Sequence, residues 1–290
     1  MAEEVWMLQT KKADFKQIGA RFRIDPVTAR IIRNRGIEGE AAIDRYLNGT
    51  LDDLYDPMLL KDMERAVSIL CEAVDTGKKI RIIEQAHADG VEVILTCDNG
   101  ISAFHQVELA KKYGMTVVIT DHHEVPLDGE KEKIPPADAV IDPKQADCPY
   151  PFPEICGAVV AYKLVQVLYA RRGVPQMEWL DLLEFAAIAT VGDVMKLQDE
   201  NRILVKYGLK KMAQTKNLGL RRLAEKNNLD LGAITAYHIG FVIGPCLNAG
   251  GRLKTAKEAL ALLRAQSEEE AERLAEELKE LNDTRKDMTE

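Results

Sequence analysis

The chain has 290 residues, 46% of them hydrophobic and 30% charged, a balance that excludes a disordered or fibrous polymer and leaves room for one large or two modest domains. Its 39 basic and 47 acidic side chains give a net charge of −8. No overall field therefore draws a polyanion to the molecule, and any nucleic-acid contact has to be local.

The longest apolar runs, at 91–97 and 115–120, fall far short of the roughly 20 residues that span a bilayer, so no membrane partner is expected. The opening MAEEVWMLQTKK has no basic stretch followed by an apolar core, and a cytoplasmic location is expected. The five cysteines are odd in number and never spaced CxxC, which predicts structural roles rather than a disulfide framework or a zinc ribbon.

In chain order, residues 1–76 read as helices joined by short turns. Asp25-Pro26 supplies a helix cap followed by a proline suited to the first turn, and Gly36 and Gly49 mark breaks. Arg21, Arg23, Arg30, Arg33 and Arg35 form a local basic cluster, which reads either as a phosphate-holding surface or as a solvated helical face. From 78 to 143 β-branched runs alternate with amphipathic stretches, the pattern of a parallel sheet covered by helices. Strands are expected at 79–83, 91–97, 115–120 and 137–141, with a crossover helix at 103–113 closed by Gly114. Only seven residues separate the first two runs, too few for an ordinary parallel crossover, so the first strand is not expected to join the sheet. The rest reads as helical, at 156–171, 179–190, 200–214, 218–227 and from 267 onward. The segment at 239–253, IGFVIGPCLNAGGRL, is read as a loop: too rich in glycine for a helix, too apolar for solvent.

Parallel sheets carry functional groups at the carboxyl ends of their strands. The second strand runs into Cys97-Asp98-Asn99-Gly100 and the third into Asp121-His122-His123-Glu124. Carboxylates beside imidazoles on one sheet edge form a ligand set for a hard to borderline divalent ion, Mn²⁺ or Mg²⁺. Asp193, in TVGDV, either adds a third carboxylate or caps a turn. Taken alone, an Asp-Gly turn after a strand is usually only a turn.

Five segments in fixed order, CDNGIS at 97–102, TDHHEVP at 120–126, ADAVIDPKQADCPYPF at 137–152, VGDVMKLQDENRILVKYGL at 191–209 and IGPCLNAGGRL at 243–253, resemble the RecJ-type single-strand-specific exonucleases of the DHH phosphoesterase superfamily. DPMLLKDMERAV at 56–67 resembles that family's approach to its first strand. The resemblance implies a helical region at 1–76, a DHH-type α/β domain at 77–266 and a linker helix at 267–290. It implies metal ligation by Asp98, His122 and Asp193, completion of the signature triplet by Asp121 and His123, with His123 at the scissile phosphate, and DNA-backbone contacts from Asn248 and Arg252, alongside Arg21, Arg23 and Arg30. The activity implied is 5′ to 3′ hydrolysis of single-stranded DNA in recombination and repair, with other repair proteins as further partners. Two alternatives are an oligoribonuclease or cyclic-dinucleotide phosphodiesterase, and a non-catalytic DNA-binding scaffold.

Departures from the family pattern matter as much. Its first strand ends in a DYDVDG-type motif whose aspartates complete a two-metal cluster, but here Ile83 runs directly into Glu84. A strand and helix, roughly forty residues and so about one crossover unit, are missing by that comparison. One metal site is therefore expected to remain, and the chain is expected to be inactive or nearly so. Cys246 stands where family members usually carry arginine, and the final helix is expected to lead toward an absent second domain.

Overall fold

The computed structural model describes residues 11–81, 90–253 and 256–288, without the side chains at 80, 81, 252 and 253. Trp6, His87 and Asp89 lie outside the described residues, as does the side chain of Arg252. The chain divides into two compact units, Met1–Leu54 and Tyr55–Glu290. The first division therefore falls ahead of the 76/77 boundary read from the sequence, because helix 63–75 packs on the sheet of the larger unit.

The smaller unit holds α1 (Phe15–Phe22), α2 (Pro26–Asn34) and α3 (Glu40–Asn48). Asp14 and Asp25 cap the first two by accepting backbone N–H bonds from Gln17 and from Val27 and Thr28, which satisfies donors that the first helical turn leaves free. Ile32, Ile37, Ile43 and Tyr46 form its core. Among the basic cluster, Arg21 pairs with Glu40 at 3.1 Å, Arg33 pairs with Glu38 at 2.7 Å, and Arg30 lies over the Phe15 ring at 4.7 Å.

The larger unit opens with α4 (Met63–Asp75), then β1 (Ile80–Arg81), β2 (Val93–Leu95), α5 (Phe104–Lys112), β3 (Thr116–Thr120), β4 (Leu127–Asp128), β5 (Lys131–Glu132) and β6 (Ala139–Ile141). β1, β2, β3 and β6 lie side by side in that order, all parallel. Ile101, Val107, Ala110, Met115, Val117, Ile119 and Val140 pack together beneath α5. The parallel sheet covered by helices is the architecture expected. One expectation about it fails: β1 does join the sheet, Ile80 opposite Val93. Both strands are shorter than their apolar runs, so eleven residues (82–92) connect them rather than seven. The small antiparallel pair β4–β5 also escaped the sequence reading, being only two residues a side around Gly129 at φ +65°.

The remaining elements are α6 (Gly157–Arg171), α7 (Gln176–Asp181), α8 (Leu183–Gly192), α9 (Asp199–Met212), α10 (Leu218–Lys226), α11 (Ala236–His238), a π-helical turn (Ile239–Ile243), α12 (Gly244–Leu253), α13 (Lys257–Leu263) and α14 (Glu268–Asp287). The expected helix at 179–190 is two helices, broken around Leu182. The expected loop at 239–253 is helical throughout. Its glycines serve close packing: a Cβ on Gly244 would stand 2.9 Å from the Ile239 carbonyl oxygen, and one on Gly240 would touch Val191 of α8. Ile239, Ile243 and Cys246 enter a core shared with Leu223, Leu262, Leu274 and Leu278, which offsets the low helix propensity of glycine. Among the described residues no helix is long and apolar enough to cross a membrane.

Candidate metal centre

Past β2 the ladder continues to Asp98, whose N–H donates to the Thr120 carbonyl at 3.0 Å. The backbone then turns sharply, with Asp98 at φ 63° and Gly100 at φ 120°. A non-glycine residue in the left-handed region is held there by its surroundings, and such strain gathers at functional edges. Gly100 is required, since a Cβ would lie 2.9 Å from Thr96 Oγ1 and 3.0 Å from Ile119. The start of α6 closes on the same residue: a Cβ on Gly157 would stand 2.2 Å from Asp98 Oδ1. Asp98 thus sits against the first turn of a 15-residue helix, whose unpaired N–H groups favour negative charge.

Asp121, immediately after β3, is buried and its oxygens are occupied. Oδ2 accepts from the Ile101 N–H at 2.9 Å, and Oδ1 accepts from the His122 N–H at 2.8 Å and meets His123 Nδ1 at 2.7 Å. Burial alone would raise its pKa, but these donors outweigh it and hold the carboxyl below its ordinary value. Asp121 is therefore an anchor that fixes His123 through Nδ1 and leaves the other ring nitrogen for a ligand. His122 faces Asp98, Nε2 to Oδ1 at 3.0 Å, and that bond raises the imidazole pKa against the opposing effect of burial.

Asp98, His122 and His123 each offer a ligand atom, all within 4.8 Å of one another. Asp193 caps the end of α8. Its pKa is raised by burial and then by repulsion from Asp98, with both histidines counteracting, so it shares the electrostatic field of the cluster without joining that 4.8 Å grouping. One oxygen and two imidazole nitrogens suit a hard to borderline divalent ion. Two buried polar atoms here have no partner, His122 Nδ1 and Asp142 Oδ2. Asp142 follows β6 directly. It went unnoticed in the sequence although the signal was available, since the rule that selects Asp98 and Asp121, an acidic residue just past an apolar strand, also selects it.

Other sequence-selected residues are more dispersed. Asn248 is an exposed residue of α12, and Cys246, two positions earlier, is fully buried. Arg21, Arg23 and Arg30 are exposed residues of the smaller unit. A shallow pocket lined by Asn99, Gly100, Ser102, Gln106 and Asp121 adjoins His123.

The family model "DHH family, N-terminal domain" matches residues 12–190, a span that holds the sheet, Asp98 and the Asp121-His122-His123 triplet; the chain belongs to the DHH family. Within it, the chain is similar to the single-stranded-DNA-specific exonuclease RecJ of Bacillus subtilis (strain 168), 31% identical, covering 98% of this chain and 40% of that protein. Identity is 32% to the enzyme of the same name from Haemophilus influenzae, covering 93% of this chain and 55% of that one. The crystal structure of RecJ in complex with Mn²⁺ from Thermus thermophilus superposes with a TM-score of 0.78 at 28% identity, over 94% of this chain and 44% of that chain. The chain thus spans roughly half the length of these relatives. The Bacillus alignment runs over 328 positions, which is 38 more than the 290 residues of this chain. At least that many positions of the alignment face no residue here.

Proposed function

We propose that this chain is the core of a divalent-metal-dependent exonuclease that acts on single-stranded DNA from its 5′ end, in a cytoplasmic setting of recombination and repair where other repair proteins are further partners. The observation that carries the reading is the convergence at adjacent strand ends of Asp98 and His122, 3.0 Å apart, with Asp193 near enough to feel the charge of both, in a DHH-family chain. Asp98, His122 and Asp193 would hold Mn²⁺ or Mg²⁺, and the donor set fits such an ion because it combines carboxylate and imidazole without thiolate. When bound, the ion supplies Lewis-acid stabilisation of phosphoryl oxygens and lowers the pKa of a water.

The protein's own groups do the positioning. Asp121 fixes His123 through Nδ1, so the exposed ring is turned by its outer nitrogen toward a phosphoryl oxygen of the substrate. The first turn of α6 supports negative charge at Asp98. Arg252, Asn248 and arginines 21, 23 and 30 would hold the strand's phosphates without reading sequence. Hydrolysis by two ions needs ligands for both. Among the described residues only one such set is present, so the chain is expected to release at most trace nucleotide.

The test is Mn²⁺-dependent release from 5′-labelled single strands. Trace release by this chain, recovered when a DYDVDG-type segment with its strand and helix is inserted after Ile83, supports the reading. Robust release by the 290-residue chain, abolished by His122→Ala, would show that the ligand count is wrong, and no release from the restored chain would sink the function itself.

A further inference from the structure

Register brings two acidic strand ends together. Thr120 of β3 pairs with Ile141 of β6, and the Asp121 N–H donates to the Ile141 carbonyl at 3.0 Å. Asp142 therefore emerges beside Asp121-His122, on the side of that segment away from Asp98 in the strand order β2, β3, β6. It is completely buried. Its Oδ1 accepts the Lys144 N–H at 2.9 Å in a local turn, while Oδ2 is buried without a partner. An orphaned carboxylate oxygen in a strand-end core is costly and calls for an explanation.

The complementary orphan is His122. Its Nε2 is committed to the Asp98 side at 3.0 Å, and its Nδ1 is buried without a partner. A buried carboxylate oxygen and a buried ring nitrogen, neither with a partner, thus stand just past the ends of two paired strands. His122 is also among the few charged groups that Asp142 senses, with Asp121 and Lys144. A histidine that ligates metal through one nitrogen generally donates its other N–H to a carboxylate or carbonyl, which fixes the ring and strengthens the ligand.

We infer that Asp142 is a positioning residue for His122: Oδ2 accepts the Nδ1–H, through a small ring rotation or one bridging water, and holds Nε2 toward the metal side. The inference rests on the reading of His122 as a ligand. Asp142 is not itself a ligand, being wholly buried and outside the Asp98–His122–His123 grouping.

The experiment combines proton NMR of the ¹⁵N-histidine-labelled chain without metal with Mn²⁺ titration followed by electron paramagnetic resonance. At a pH where the metal-free His122 ring carries both protons, Nε2–H donating to Asp98, the wild type should show an exchange-protected Nδ1–H resonance, assigned by its loss in His122→Gln. On metal binding Nε2 gives its proton to solvent and Nδ1–H stays. Asp142→Ala should abolish it. Asp142→Asn, close in size and offering a single neutral oxygen, should weaken its protection. Mn²⁺ affinity should fall about 10- to 100-fold in Asp142→Ala, the range seen when outer partners of ligating histidines are removed. Absence of the resonance in the wild type, which needs no variant to fold, overturns the proposal. So does its persistence unchanged in both variants, or a fall in affinity with the resonance intact, which would make Asp142 a direct ligand. If the wild type binds no Mn²⁺, the metal reading fails separately, and the metal-free spectrum still decides the hydrogen bond.

Discussion

Two polar clusters in the larger unit make opposite use of buried charge. Between α6 and α9, Lys163 and Glu200 form a fully buried ion pair at 3.1 Å. Glu200 also accepts from the Tyr150 hydroxyl and from the Tyr55 N–H, and Lys163 donates to the Tyr55 carbonyl. Burial lowers the Lys163 pKa and raises that of Tyr150, yet each group finds partners. At the strand ends the reverse holds: Asp98 and Asp193 repel each other, and His122 Nδ1 and Asp142 Oδ2 are unpartnered. A saturated cluster fixes a structure, and an unsaturated one leaves groups free to reorganise around a ligand.

The contrast can be broken most severely at a ligand. Asp98→Asn should weaken Mn²⁺ binding beyond the roughly 100-fold upper end typical of outer partners, read by the same titration. Its melting temperature should change little, because relief of the repulsion with Asp193 is offset by a weaker contact with His122. A large drop in stability with Mn²⁺ affinity preserved would reverse the roles assigned to the two clusters.

In the saturated cluster the expectation inverts. Glu200→Ala leaves the Lys163 ammonium buried and unpaired and should cost about 3–5 kcal/mol, measured by urea unfolding. A loss below about 1 kcal/mol would mean that the pair contributes little to holding α6 and α9.

Gly157→Ala touches both packing and site. The added methyl would meet Asp98 Oδ1 at 2.2 Å and Cα at 2.7 Å, so overpacking of about 1–3 kcal/mol should accompany weaker Mn²⁺ binding. Unfolding curves and titrations identical to wild type would show that α6 does not close on Asp98.

The last expected effect is confined to a pH window. Burial raises Asp142 from its usual 3.8 to about 6, so the folded state holds this proton more tightly than the unfolded one. Stability that is fully present below pH 3.8 is lost as pH rises through about 6, a difference of roughly 3 kcal/mol at most. Asp142→Asn should remove this component. Parallel pH profiles for the metal-free wild type and the variant would contradict it.

Much of this was legible in the sequence for local reasons. Apolar runs ending in Asp98 and in the Asp121-His122-His123 triplet announce both strands and their functional edge, and a helix cap such as Asp25 acts within one turn. What stayed hidden depends on partners distant in the chain. The glycines at 240 and 244 read as loop formers, but they allow α8 and a carbonyl to approach a buried helix. Gly157 gives no local sign that it lies on Asp98. The basic cluster at 21–35 reads as free charge, whereas Glu38, Glu40 and Phe15 engage three of its members. Asp142 differs from these cases, since its position after an apolar strand was visible from the start.

The most direct test of the central claim is a crystal of the chain grown or soaked with Mn²⁺ and measured for anomalous scattering. A manganese peak is expected, bonded to a carboxylate oxygen of Asp98 and to Nε2 of His122 at about 2.0–2.3 Å, with Asp193 on the same ion. Manganese bound elsewhere while Asp98 and His122 keep their direct 3.0 Å contact would contradict it.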